Sequence, residues 1–324
     1  MKIISELQLN DSSESSKSRL TVASSPYAPL ATLNLIFFRL DEQVSQIAAG
    51  RGRHLTSHSL DNTDASYHQD MPACFSSFEE ARNVLDYIWT ASVRVFESIP
   101  EPEQELDGRL SQDLRASLDM IRSCSGLLLQ EWAKAFEAFI RQSTQLDVTA
   151  QQAIHTLKIH YILTTILLSL HHNIAPADET AWDSYFVEFE AIISHAAAVV
   201  DLDRKRRRQA FSLDTEIILP LYLVASKCRQ PNIRRKAVSI LKSSSKQEGL
   251  LHGGITARVA QRIIDIEEGC LETVFSCEDI PNCARISDVE IRFDPEENRA
   301  FLRYLRWKSA KSTKRDTVDE CLHW

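Results

Sequence analysis

The chain holds 324 residues, 44% of them hydrophobic and 25% charged, with a formal net charge of -8. That length buries a full core in one large or two ordinary domains, and the acidic balance offers no global attraction to nucleic acid or to an anionic membrane. Only eight residues are glycine, about a third of the usual ~7%. Phosphate-cradling loops, dinucleotide turns and tight hairpins all need glycine, so nucleotide enzymes and β-barrels are disfavoured.

Residues 1–26 contain eight serines and few large apolar residues after Leu9, which predicts a flexible arm. No secretory signal is expected there, because Ile3 and Ile4 give way at once to Glu6 and Asn10. Pro29 can open a helix running through Leu33, Phe37, Leu40, Val44 and Ile47 to Gly50, apolar at three- and four-residue steps. The polar stretch Arg51 to Asp70, with His54, His58 and His68, reads as a loop. Ser76 or Ser77 then caps a helix whose Glu79 and Glu80 favour the positive end of its dipole, and Pro100 and Pro102 end it. A longer helix carries Leu110, Leu114, Leu118, Ile121, Leu128, Trp132, Phe136 and Phe139 on its apolar face.

From Thr149 to Asn173 the chain is apolar nearly all round, as in a helix at the centre of a bundle. Its longest apolar stretch, Tyr161 to Leu170, is interrupted by Thr164, Thr165 and Ser169 and reads as too short to span a bilayer. Trp182 to Val200 forms the next amphipathic helix, and the basic run Arg204, Lys205, Arg206, Arg207 and Arg208 follows it. Three shorter helices are predicted beyond: Asp214 to Arg229 with Pro220 near its first turn, a second from Pro231, and a third from Gly254 to Glu268. The short link between the first two implies an antiparallel helical hairpin. Val289, Ile291 and Phe293, then Phe301 to Trp307, alternate about an Asp294 to Asn298 turn and predict a β-hairpin. The tail 308–324 reads as basic and irregular. The predicted fold class is all-α, a multi-helix bundle of stacked helical hairpins with a small C-terminal β-hairpin.

None of the motifs that carry chemistry stands out. The cysteines, Cys74, Cys124, Cys228, Cys270, Cys277, Cys283 and Cys321, include no Cys-x2-Cys pair, and fit reduced thiols of a nuclear or cytosolic protein. Cys270, Cys277 and Cys283 with His252 lack the close pair a structural zinc site needs and read as unrelated thiols. His155 and His160 lie about 140° apart on a helix, and His171 and His172 also diverge. Asp61, Asp64 and Asp70, the densest carboxylates, fall in the polar loop rather than on an apolar helix wall that could hold magnesium and a diphosphate. The run Arg204 to Arg208 is either a nuclear-import or interaction patch or an ordinary solvated link. Arg229, Arg234, Arg235 and Lys236 read as a solvated face; neutralising nearby acidic surface or meeting a partner's carboxylates are the alternatives. Arg303, Arg306, Lys308, Lys311 and Lys314, with no acid after Glu297 until Asp316, could touch phosphates without sequence choice.

One block is more specific. Pro220, Leu221, Tyr222, Lys227, Cys228 and Arg229 are followed by Pro231, Ile233, Arg234 and Arg235. Then come Leu241, Glu248, Gly249, Leu250, Ala257, Val259, Ile266, Glu267 and Glu268. This block resembles the C-terminal regulatory domain of fungal zinc binuclear-cluster transcription factors. Phe75 to Arg82 and the Ile291 to Tyr304 hairpin are similar to other parts of that domain, so the resemblance spans roughly 27–307, with a sub-boundary near 201–212. Leu251 and His252 depart from it, where a Trp-containing pair is common.

The resemblance implies a nuclear regulatory or interaction domain, not an enzyme, that meets other transcription regulators or coregulators and senses a small molecule in its helical interior. A homodimer is an open alternative. The six-cysteine zinc module that reads DNA in the family is not found in this sequence. The expectation is therefore no sequence-specific DNA binding by this chain alone, no membrane association, and no cofactor, with zinc only where such an N-terminal cluster exists. Two other readings stand beside it: a stand-alone helical scaffold, and an all-helical accessory enzyme of a biosynthetic gene cluster.

Overall fold

The computed structural model describes residues 71–97, 110–143, 145–170, 178–206, 211–212, 215–244, 246–249, 251–294, 297–309, 312 and 314–323. The serine-rich arm, the helix expected over 29–50, the polar loop and the His171, His172 pair lie outside them. All the described residues belong to one of the two units of the chain, Phe38–Trp324.

The protein is mostly helical, with two three-stranded sheets among the described residues. Helix α1, Phe78–Glu97, starts as expected. The Glu80 backbone N–H donates to Ser77 Oγ at 3.1 Å, while Glu80 Oε2 accepts from the Ser76 N–H at 2.7 Å and from its hydroxyl at 2.6 Å. Helix α2, Leu110–Gln142, packs on α1. There the spacing of Ala81, Leu85 and Ile88 meets that of Leu129, Trp132, Ala135 and Phe136, all buried. Leu128, expected on this face, is exposed, and Leu129 takes the inward position. Trp132 stacks between Phe136 and Tyr161, with centroids 4.7 and 5.4 Å away, and donates its indole N–H to Ala81 O at 2.7 Å. A buried Trp needs such an acceptor.

Helix α3, Val148–Leu170, is lined on opposite sides by two apolar clusters. Leu157 and Leu168 join the α1–α2 cluster; Ile159, Ile166 and Leu170 join the larger one, built from the rest of the chain. At 23 residues α3 is long and apolar enough to cross a membrane, so the expectation that this stretch is too short fails on length. The helix begins at Val148, three full turns before the apolar stretch that starts at Tyr161. Its burial between two protein clusters is that of a core helix.

A 3₁₀ turn, Glu179–Tyr185, capped by Asp178 accepting from the Thr180 N–H at 3.0 Å, leads into α4, Phe186–Arg206, which packs on α3. Then come α5, Ile218–Lys227, α6, Pro231–Ser243, and α7, Gly253–Glu268, mutually packed. Pro231 sits at the first position of α6, where its missing N–H costs nothing. Around these helices β1, Phe211–Ser212, runs parallel to β2, Gln247–Glu248, and β2 antiparallel to β3, Leu251–His252.

The second sheet corrects the expected hairpin. Strands β4, Ser287–Asp294, and β5, Arg299–Trp307, pair as predicted. Asn298, at φ 49°, takes the left-handed turn position that asparagine tolerates. The tail does not stay irregular: β6, Arg315–His323, pairs with β5 along its whole length, from Trp307 opposite Arg315 to Arg299 opposite His323. Val318 and Leu322 alternate inward beneath the charges and pack against the helical core, beside buried Ala300, Leu302 and Tyr304 of β5. Between them Glu320 accepts from Arg262 of α7 at 2.9 and 3.1 Å and from the Tyr304 hydroxyl at 2.8 Å. The strand's acids thus hide a period-two pattern in a sequence that reads as polar.

Candidate functional site

The basic run occupies the last turn of α4 and the residues after it. Arg204 and Lys205 are exposed, and Arg204 Nη1 lies 3.5 Å from Asp201 one turn back. Cations here also complement the negative C-terminal end of the helix. Arg206 ends the helix, with its side chain outside the described residues, as are Arg207 and Arg208 altogether.

The second basic cluster is placed quite differently from the solvated face expected. The Arg229 and Arg234 side chains are fully buried, and both point at Glu267 of α7, itself fully buried. Arg229 Nη2 donates to Glu267 Oε1 at 2.7 Å and lies 3.1 Å from Glu179 Oε2; Arg234 Nη2 donates to Glu267 Oε2 at 2.8 Å. Lys227 Nζ donates to Glu179 at 2.8 and 2.9 Å, and Arg235, half exposed, donates to Glu268 Oε2 at 2.5 Å. Arg229 Nη1 also donates to the Lys227 carbonyl and Arg234 Nε to the Ala225 carbonyl. Burial works to raise the Glu267 carboxyl, but the two arginines hold it below its ordinary value. Burial lowers Arg234, while Glu267 and Glu179 together outweigh burial at Arg229 and raise it. The partners are intramolecular, set by the i, i+5 step from Arg229 to Arg234 and by α7 lying alongside. The sequence shows the cations; only the packing of α5, α6 and α7 identifies their acids.

A second polar centre surrounds the start of α5. The Glu248 carboxylate accepts from the backbone N–H groups of Glu216, Ile217 and Ile218 at 2.8 to 3.1 Å, taking up the donors a helix N-terminus leaves free. Burial pushes its pKa up to about 7, against the pull of those N–H groups. Glu216 accepts from Lys246 Nζ at 2.7 Å and Gln152 at 3.1 Å, and Lys246 also contacts Asp203 of α4. Thr215 O accepts from His160 Nε2–H at 3.0 Å and from Arg82 at 3.4 Å. Burial holds His160 down at about 4. This one short segment therefore ties together α1, α3, α4 and β2.

The histidines separate as the helical spacing requires. While His160 turns to Thr215, His155 turns to α4, where its Nδ1 meets the Nδ1 of His195 at 2.9 Å. His195 had no sequence signal, because its partner lies forty residues away on another helix. Burial, then the Lys158 ammonium, lowers His155; burial, then His155 and Lys158, lowers His195. Among the described residues no three His, Cys, Asp or Glu side chains converge as metal ligands. All seven cysteines are free thiols; burial raises Cys228 to about 11 and also raises Cys277, which favours the protonated thiol in both. In the tail, Arg303 and Lys308 are neutralised by Asp319 and Asp316 of β6, at 2.8 and 2.9 Å. Asp61, Asp64 and Asp70 lie outside the described residues. No family model, no curated protein and no solved structure matches this chain.

Proposed function

We propose that this chain is a regulatory and interaction domain of the fungal zinc binuclear-cluster transcription-regulator class, folded as a bundle of stacked helical hairpins and working in the nucleus through protein contacts. The observation that supports this reading is the fate of the residues that carry the resemblance. Arg229, Arg234 and Arg235 are bound to Glu267 and Glu268, and Glu248 caps the helix that bears Pro220 to Lys227. Residues shared by chance would have no reason to be one another's partners. As a set they encode a core, and that leaves the exposed surface, Arg204 and Lys205 included, to carry function. On this reading target choice belongs to partner regulators, and the chain alone has no sequence-specific DNA contact.

The test places the full chain on a promoter. Fused to a heterologous DNA-binding module in a fungal host, it should change reporter output several-fold. A fluorescent fusion should concentrate in the nucleus and lose that concentration when Arg204 to Arg208 are all replaced by alanine. An unchanged reporter with the fusion spread evenly through the cell would leave the scaffold reading in its place, and turnover by the purified chain would leave the enzyme reading.

A further inference from the structure

Strand β6 turns Cys321 and His323 to the exposed outer face of its sheet, because both alternate with the inward Glu320 and Leu322. The His323 Nε2 lies 3.4 Å from the Cys321 sulfur and accepts a thiol proton when Nδ1 carries the ring's own. Across the ladder, Phe301 of β5 stands opposite Cys321 and Arg299 opposite His323. The Arg292 and Arg299 guanidiniums lie over the Phe301 ring, 4.7 and 5.0 Å from its centroid. Asp294 and Glu297 hold Arg299 at 3.0 and 2.9 Å, and its charge lies within electrostatic range of Cys321. One exposed face thus carries a nucleophile, a base, an aromatic ring and two cations.

The other two exposed thiols have a different setting. Among the described residues no histidine bonds to Cys124 or Cys270, and Cys270 follows the negative C-terminal end of α7, with Glu272 two residues on.

We infer that Cys321 is a modification site for small anionic disulfides of the glutathione class, with His323 as its base. The Cys321 thiol gives its proton to His323 Nε2, and its sulfur attacks one sulfur of the disulfide. A new S–S bond forms to Cys321 as the small molecule's own S–S bond breaks, and the departing thiolate takes the proton back from His323. Cys321 is oxidised, and half of the small disulfide is released as its reduced thiol. Arg292 and Arg299 meet the carboxylates of the incoming molecule.

The test incubates the reduced full chain with glutathione disulfide at pH 7.5 and follows each cysteine by peptide mass mapping. Cys321 should gain the adduct several-fold faster than Cys124 or Cys270, and lose it again in excess reduced glutathione. With uncharged hydroxyethyl disulfide that lead should shrink. His323→Gln, shown to be folded by its far-ultraviolet spectrum and melting temperature, should slow Cys321 several-fold and leave Cys124 and Cys270 unchanged. A thiol that reacts through exposure alone would not respond to that substitution. Cys124 or Cys270 reacting as fast as Cys321, an equal lead with the uncharged disulfide, or an unchanged Cys321 rate in His323→Gln each overturns the site.

Discussion

Two arginine-rich stretches close in sequence have opposite environments. Arg204 stands at the end of α4 with 62% of its side chain exposed and, among the described residues, one carboxylate paired with it, Asp201. Arg229 and Arg234 have none exposed and share Glu267, with Glu179 and Glu268 beside them. Both stretches begin at or just after the end of a helix. The difference lies in what a distant helix brings: α7 and the turn before α4 supply three acids to the second stretch, while among the described residues Arg204 meets only Asp201. A buried guanidinium is tolerated only where a carboxylate and carbonyls meet its donors. A cluster of cations in a sequence is therefore a surface feature or a core feature according to acids far along the chain.

Breaking the buried side of that contrast should have the largest effect. Glu267→Ala leaves two guanidiniums buried without their acid and should cost about 3–5 kcal/mol in urea unfolding, or prevent folding altogether. Trp132→Phe tests a region with an aromatic core and no ion pair at its centre; losing the indole N–H to Ala81 O and some volume should cost about 1–3 kcal/mol. The pH dependence sharpens the picture at the start of α5. His160 is held below its unfolded value of about 6.5, so the folded state takes its proton less readily, and stability falls as pH drops from there toward about 4. Glu248 is pushed up to about 7, so the folded state binds its proton more readily, and its contribution grows as pH falls from about 7. The two oppose each other, and Glu248→Gln should therefore make stability fall more steeply between pH 6.5 and 4.5 by leaving the histidine unopposed. Least affected is Arg204→Ala, expected to stay within about 0.5 kcal/mol of the parent in the same unfolding assay.

The helices were legible because their apolar steps are regular and their starts are marked: Ser77 at α1 and Pro231 at α6 stand where capping rules place them. The Pro220 to Glu268 block was legible as a pattern, though not as a buried ion network, because pairing across helices leaves no trace in local spacing. Strand β6 was missed for a related reason. Its Asp316, Asp319 and Glu320 sit in a segment that reads as a basic, irregular tail until Lys308, Arg303 of β5 and Arg262 of α7 pair with them. His195 could not be read at all, being one polar residue in an amphipathic helix. The basic run reads from the sequence as a segment following a helix that ends near Val200, whereas α4 runs on to Arg206 and takes in its first three residues.

Helix α3 carries a consequence for how the chain comes apart. One of its sides completes the aromatic cluster of α1 and α2, and the other completes the cluster that holds α4 to α7. Neither cluster can lose α3 without exposing the other, so severing the chain in the basic segment after α4 would not release an independently folded half. The two clusters should melt as one transition, and the slowest amide hydrogen exchange in the molecule should lie in the middle of α3, around Ile159 to Ile166.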